Sequence, residues 1–337
     1  MIKEAITQAA RRQNLRYEQA EAVMDEIMDG QASEIQMAAY LAAMSVKGET
    51  IDEITGSAAG MRKHCIRLLH NLDVLEIVGT GGDHSHSFNI STTSAMVISA
   101  AGVPVAKHGN RAATSKSGAA DVLEALGVNI SVSPQKSLAL LQKLHLCFLF
   151  AQNYHIAMKY VAPVRRELGI RTIFNVLGPL VNPAGATMQL LGVYEEALVE
   201  PMAQVLCNLG VRAAMVVFGQ DGLDEISMSA PTSVCKVRNG IFESYTLTPE
   251  QFGFALCEKK ALVGGSPTEN AAITQAVLGG KEGPQRNAVL LNAGAALHIA
   301  RPSLSIADGI ALAAQTIDSG AALRQLEQFL LLSNTDS

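Results

Sequence analysis

Tryptophan is absent from this chain, and Phe and Tyr together make up only 4% of its 337 residues. Little stacking surface is therefore available for nucleobases. A basic excess is also missing, since the formal net charge is -5. Duplex binders need a stripe of Lys and Arg against phosphate, and basic residues here cluster only locally, so nucleic acid is not an expected partner. The five cysteines, Cys65, Cys147, Cys207, Cys235 and Cys257, are odd in number and include no CxxC pair. That suggests neither a disulfide framework nor a zinc site and points to reduced thiols in a cytoplasmic protein. No apolar run approaches the roughly 18 residues of a membrane span. The opening MIKEAITQAARRQ carries charge from its third residue and lacks the apolar core of a signal peptide. What is present is a 48% hydrophobic, 17% charged composition that can bury a large core. At this length two domains are expected.

The first 70 residues read as helices. Ala20, Val23, Met24, Ile27 and Met28 recur at helical spacing and Gly30 stops the pattern. Ser33 with Gln36, and Thr50 with Glu53, have the spacing of capping boxes that start the next two helices. From residue 73 the register changes. Short apolar runs at Val74–Val78, Val103–Ala106, Cys147–Ala151, Gln189–Val193 and Ala213–Phe218 alternate with helical stretches, one of them Ser91–Ala101. This alternation predicts an α/β fold with a mainly parallel sheet flanked by helices. A helical segment at about 157–184, punctuated by Pro163, Pro179 and Pro183, interrupts it. The expected division is a small helical domain of 1–71 with about 157–184, and a large α/β domain of 72–156 with 185–337. No internal repeat is evident, and the polar residues Ser333 to Ser337 read as a frayed end.

Gly79-Thr80-Gly81-Gly82-Asp83 follows the first predicted strand. Glycines there let backbone N–H groups approach phosphate oxygens. The loop has neither the GK[ST] of a Walker A motif nor the GxGxxG spacing of a dinucleotide site. Ser87-Phe88-Asn89-Ile90-Ser91-Thr92-Thr93-Ser94 then opens a helix with hydroxyls, an amide and free N–H groups together, a dense donor set for a diphosphate. Lys107-His108-Gly109-Asn110-Arg111, at the end of the second strand, and the Ser115-Lys116-Ser117-Gly118 turn face the same crest. Ligands of open α/β sheets bind at such strand ends.

Three further features are ambiguous. Asp224-Glu225 after Gly222 reads either as solvated surface or as a magnesium pair, the latter if a turn aims both carboxylates one way. Arg165 and Arg166 are either an exposed helical pair or a bidentate carboxylate holder. His155 reads equally as a general base or a structural loop histidine, and His84 and His86 lack the third ligand a metal needs.

Taken in order, GTGGD, FNIST, KHGNR, SKSG.AD, NYH..M, APVRRELG, GPL.NPA and GLDE resemble the anthranilate phosphoribosyltransferase family over essentially the whole chain. The resemblance implies transfer of the 5-phosphoribosyl group from 5-phosphoribosyl 1-diphosphate to anthranilate, a step of tryptophan biosynthesis. It implies a small helical and a larger α/β domain, an active site at their hinge, Mg2+ as cofactor and a homodimer through the small domain, and it leaves open whether the chain associates with an anthranilate synthase. By motif, Gly79 would border both substrates. Gly82, Asp83, Ser87, Asn89 and Ile90 would hold the phosphoribosyl diphosphate, together with Ser91, Thr92, Lys107 and Ser115. Ser91, Asp224 and Glu225 would serve the metal. Asn110 and Arg165 would hold anthranilate, with His108 and Pro179 near its path. The chain departs from the family pattern at Ala119, where a phosphate-binding serine is usual, at Ser87 for threonine, at Ala112-Ala113 for Ser-Val, and at His84 for glycine.

The implied chemistry needs no covalent nucleophile, and no catalytic side chain is assigned. It requires stabilisation of a leaving diphosphate and an aligned amine. Two alternatives share parts of the pattern. A pyrimidine-nucleoside phosphorylase would use a related KxGxR loop, but is disfavoured by Asp224-Glu225 and the APVRRELG segment. A non-catalytic nucleic-acid-binding relative is disfavoured by the net acidity.

Overall fold

The computed structural model describes residues 1–112 and 115–335. Four helices open it: α1 (Ile2–Ala10), α2 (Tyr17–Met28), α3 (Glu34–Lys47) and α4 (Ile51–Lys63). The five spaced apolar residues of α2 are all buried, as the periodicity predicts. Both capping boxes form. Ser33 Oγ accepts from Gln36 N at 3.3 Å while Gln36 Oε1 accepts from Ser33 N at 2.9 Å. Glu53 closes the second box on Thr50 N and also accepts from Leu15 N and Lys47 Nζ, each at 2.7 Å. It is a fully buried carboxylate whose charge is paired and both of whose oxygens accept hydrogen bonds, which is the condition for tolerating it there.

The strands are β1 (Leu75–Gly79), β2 (Val105–Gly109), β3 (Leu146–Phe150), β4 (Met188–Gly192), β5 (Ala213–Gly219), β6 (Thr232–Arg238) and β7 (Ile241–Leu247). They form one sheet in the order β3-β2-β1-β4-β5-β6-β7. The first five are parallel, as expected, with bounds shifted by up to three residues. β6 and β7 add an antiparallel hairpin absent from the sequence reading. At the sheet edge β7 leaves most of its residues exposed, so it carries no continuous apolar run to betray a strand.

Between and beyond the strands lie α5 (Ile90–Ala100), α6 (Ala119–Ala125), α7 (Pro134–Leu144), α8 (Ala151–Tyr154), α9 (Ala162–Leu168), α10 (Phe174–Leu177) and α11 (Val199–Asn208). The chain ends with α12 (Pro267–Leu278), α13 (Pro284–Ala300), α14 (Ile306–Asp318) and α15 (Ala321–Asn334). Alternation along the strands divides the interior. Leu190, Met215 and Val217 join the core with α5 and α13. Their neighbours Leu191, Ala214 and Val216 face the other way, into a core shared with α11 and the N-terminal helices. Val161, Val164, Phe174 and Leu177 of the interrupting segment bury in that second core. Ser333 is not frayed: it belongs to α15, is buried, and its Oγ accepts from Asn129 N at 3.1 Å.

The chain runs outward from β1 to β3 and returns to β4 on the other side of β1. The loops at this reversal diverge and leave a crevice at the strands' carboxyl ends.

Candidate active site

A cleft of about 840 Å³ occupies this crest, between the sheet and the segment that includes α9 and α10. Every residue assigned a role by motif lines it, from Gly79 and Asp83 to Arg165, Pro179, Asp224 and Glu225.

Its floor depends on two glycines in register, Gly79 on β1 and Gly192 on β4. A Cβ at Gly79 would meet the Asp224 carboxylate, and one at Gly192 would land on the Asp224 carbonyl. Their missing side chains let the turn after β5 fold down over the strand ends. Gly222, at φ +85°, makes that turn. Asp224 Oδ2 accepts from Gly81 N at 2.7 Å, and Glu225 Oε1 accepts from Ser91 N at 3.2 Å, at the start of α5. The acidic pair is therefore buried, not solvated surface, and both carboxylates point into one region.

Lys107 is the middle residue of β2 rather than its last, and it too is buried. β1 and β2 share register only at Leu75 and Val105, whereas β2 and β3 pair along their full length. Side chains fill the opening between the diverging strands. Lys107 Nζ donates to Ile77 O at 2.7 Å and to Ser91 Oγ at 3.2 Å. Glu76 Oε1 accepts from His108 N at 3.3 Å, and Asn182 Nδ2 donates to Ala106 O at 2.8 Å. Burial pushes the Asp224 carboxyl well above its usual range, and the neighbouring Asp83 and Glu225 add to the effect. Burial raises Glu225 and lowers Lys107, while their mutual attraction opposes both shifts.

The glycine loop is held from two sides. Thr80 N donates to Gly192 O at 2.9 Å, and Arg171 Nη2 donates to Gly82 O at 2.6 Å. Asp83 accepts from Ser85 N and Asp224 N, each at 3.3 Å. His84 and His86 are exposed and adopt left-handed backbone, at φ 56° and 54°. Among the described residues no cluster of three His, Cys, Asp or Glu could hold a metal by itself. Ile90 sends its side chain into the core and its N–H to Phe88 O, while Ser87, Asn89, Ser91 and Thr92 line the cleft.

The opposite wall is less polar. His108 and His155 are buried with ring centroids 5.0 Å apart, and neither Nε2 has a partner among the described residues. Burial lowers His108 to about 3, with His155 beside it a further cause. Burial likewise lowers His155 to about 4. Both rings are uncharged at neutral pH. Arg165 lies over the Phe174 ring at 5.1 Å, and burial lowers its affinity for its proton. Among the described residues no carboxylate pairs with it, whereas Arg166 is exposed. Asn110 lies on the facing loop and its Oδ1 accepts from Arg111 N at 2.8 Å. The Pro179 carbonyl is anchored by Gln189 Nε2 at 2.8 Å.

Of the departures from the family pattern, Ala119 opens α6 at the cleft and packs where Gly109 leaves room. Ala112 N donates to Asp121 Oδ2 at 2.8 Å, a backbone bond that any residue but proline can make. Ala113 lies outside the described residues. Ser115 Oγ donates to Ser117 O at 3.3 Å. The sequence reading missed Glu76, Arg171, Asn182 and Asn270. Asn182 lies within GPL.NPA but was given no role, and the other three belong to no motif, because each acts on a partner far away in the chain.

Residues 3–65 match the helical bundle domain of a glycosyl transferase family, and residues 71–323 match its a/b domain. A helical bundle joined to an α/β sheet with a glycine loop at its crest thus defines a glycosyl transferase. The anthranilate phosphoribosyltransferase of Lachnoclostridium phytofermentans is 62% identical, with 99% of each chain covered. The solved anthranilate phosphoribosyltransferase of Thermus thermophilus is 43% identical at a TM-score of 0.93, covering 98% of this chain and 99% of that one. That of Saccharomyces cerevisiae, solved in complex with PRPP and Mg, is 29% identical at a TM-score of 0.91, covering 98% and 97%. The chain belongs to the anthranilate phosphoribosyltransferase family, transferases of tryptophan biosynthesis. Identity of this extent sets aside the phosphorylase and nucleic-acid-binding alternatives.

Proposed function

We propose that this cleft holds 5-phosphoribosyl 1-diphosphate on the glycine loop and the start of α5, and aims anthranilate at its ribose carbon from the Arg165 side. One observation carries the placement. Two buried carboxylates and a buried lysine converge beneath a glycine loop, while an arginine without a carboxylate partner among the described residues faces them across the cleft. Gly79 borders both substrates. Gly82, Asp83, Ser87, Asn89 and the backbone at Ile90 and Ser91 line the diphosphate and ribose, with Thr92, Lys107 and Ser115 completing the wall. Lys107 and the loop N–H groups stabilise charge on the departing diphosphate. Arg165 takes the carboxylate of anthranilate, with Asn110 reaching the same ligand and His108 and Pro179 bordering its path. Because His108 and His155 are uncharged, the positive charge of that wall comes from Arg165 and Lys159.

Asp83, Asp224 and Glu225 place three carboxylates in one region, and the proton affinity of Asp224 and Glu225 is raised first by burial and then by the neighbouring carboxylates. This set fits Mg2+, which favours one or two carboxylates with substrate phosphates completing its shell. Asp224, Glu225 and Ser91 would hold it, and it would supply charge neutralisation to the diphosphate. The complex of the yeast relative with PRPP and Mg supports the assignment.

The reading includes a small helical unit of 1–71 with 157–184 against an α/β unit of 72–156 with 185–337, supported by the shared burial of α9 and α10 with the N-terminal helices. It includes a homodimer through the helical unit, supported by Ile35 and Val46 of α3, which are 83% and 73% exposed. An anthranilate synthase, as the source of the acceptor, is the protein partner it adds. A cytoplasmic setting is supported by five free cysteines, and no helix of the described residues is long and apolar enough to cross a membrane. The test is the loss of anthranilate fluorescence with phosphoribosyl diphosphate and magnesium both present. Turnover should cease in excess EDTA; full turnover there would remove the metal from the mechanism.

A further inference from the structure

Asn89 stands at the N-cap position of α5 yet makes no side-chain capping bond. Its amide is therefore not held by its own helix. It is held by a relay whose two ends are backbone groups. At one end Gly265 N donates to Asn270 Oδ1 at 2.8 Å, which occupies the acceptor end of the Asn270 amide. The Asn270 NH2 must then face Asn89, where Nδ2 donates to Asn89 Oδ1 at 2.9 Å. At the other end Asn89 Nδ2 donates to Ser117 O at 3.2 Å, and Ser117 Oγ returns a bond to Asn89 Oδ1 at 3.3 Å. A backbone N–H can only donate and a backbone carbonyl can only accept, so the orientation of both amides is dictated rather than arbitrary.

An amide nitrogen carries two donors. Asn89 gives one to Ser117 O, and the other has no partner among the described residues, while Asn89 lines the cleft. Asn270 itself is 1% exposed and does not line the cleft. Beside the relay, Thr93 Oγ1 and Thr274 Oγ1 meet at 2.9 Å, so α5 and α12 are joined independently of the two amides.

We propose that Asn270 is a positioning residue: it fixes which way the Asn89 amide faces, so that Asn89 offers an N–H to the phosphoribosyl diphosphate. The inference rests on placing that substrate against Asn89. Without Asn270, Asn89 can turn its carbonyl toward a polyanion it should meet with a donor.

A double-mutant cycle tests this in the full-length enzyme, with KM for phosphoribosyl diphosphate and for anthranilate measured separately at saturating magnesium. Asn89→Ala and Asn270→Ala should each raise KM for phosphoribosyl diphosphate by roughly 3- to 10-fold, the scale of a hydrogen bond. The double variant should match Asn89→Ala alone to within about two-fold, because Asn270 acts only through Asn89. KM for anthranilate should not move. Should Asn270→Ala not accumulate as folded protein, Asn270→Ser closes the same cycle. Multiplying effects in the double variant, or an equal rise in KM for anthranilate, would make Asn270 a structural residue only and overturn the proposal. An unchanged KM in Asn89→Ala would instead overturn the substrate placement on which it rests.

Discussion

Residue types acquire roles here from what surrounds them. Asp224-Glu225 is an ordinary acidic dipeptide in the sequence, equally readable as solvated surface. Buried above Gly79 and Gly192 and beside Asp83, the same pair becomes a site that prefers protons or a cation. Arg165 shows the converse, a cation drawn out of water with an aromatic ring beneath it and no carboxylate partner among the described residues. A charge-assisted hydrogen bond contributes about 1.5–3 kcal/mol. Arg165→Ala should therefore lower kcat/KM for anthranilate by roughly 10- to 150-fold. Calorimetric binding of phosphoribosyl diphosphate should change little. A variant that loses diphosphate-substrate affinity but keeps its anthranilate KM would move Arg165 to the other half of the cleft.

At the scale of elements, the readable signals were local ones. α2 declared itself through a buried face repeating at helical spacing, and α3 and α4 through capping boxes closed within four residues. The five parallel strands were visible because burial on both faces keeps them largely apolar, with Glu76, Lys107, His108 and Gln189 as the polar exceptions. The β6–β7 hairpin was not, since an edge strand half in water has no such run. Nor could the gap between β1 and β2 be read, because side chains from three elements fill it. The strand ends carry a prediction of their own. Gly192→Ala puts a methyl group onto the carbonyl of Asp224. Overpacking of this kind costs about 1–3 kcal/mol. The variant should melt at a lower temperature and need more magnesium for half-maximal rate, because the displaced turn carries both carboxylates. Wild-type melting and an unchanged magnesium titration would mean that the turn has room to move.

For the whole molecule, the burial of His108 and His155 links stability to pH. Their folded values, about 3 and about 4, lie below the roughly 6.5 of an unfolded histidine. Above about pH 6.5 both states leave these rings neutral. As pH falls below that, the unfolded chain takes up protons that the folded chain refuses, so stability declines until the folded values are reached. The buried carboxylates act in the opposite direction, so the comparison needs a variant. Between pH 7 and 4.5 the wild type should lose about 2–3 kcal/mol more unfolding free energy than His155→Gln in urea titrations. Parallel pH profiles would show that the ring gains a proton without cost.

By itself the sequence determined the helical start, the parallel α/β core and the ordered set of loops that mark the family, because capping, periodicity and glycine turns act over a few residues. Only the tertiary structure decided that the acidic pair is buried, that Lys107 and Glu76 bridge two diverging strands, and that Asn270 reaches Asn89 from 181 positions away. Burial and desolvation depend on what the rest of the chain lays over a residue, and no local pattern encodes that covering.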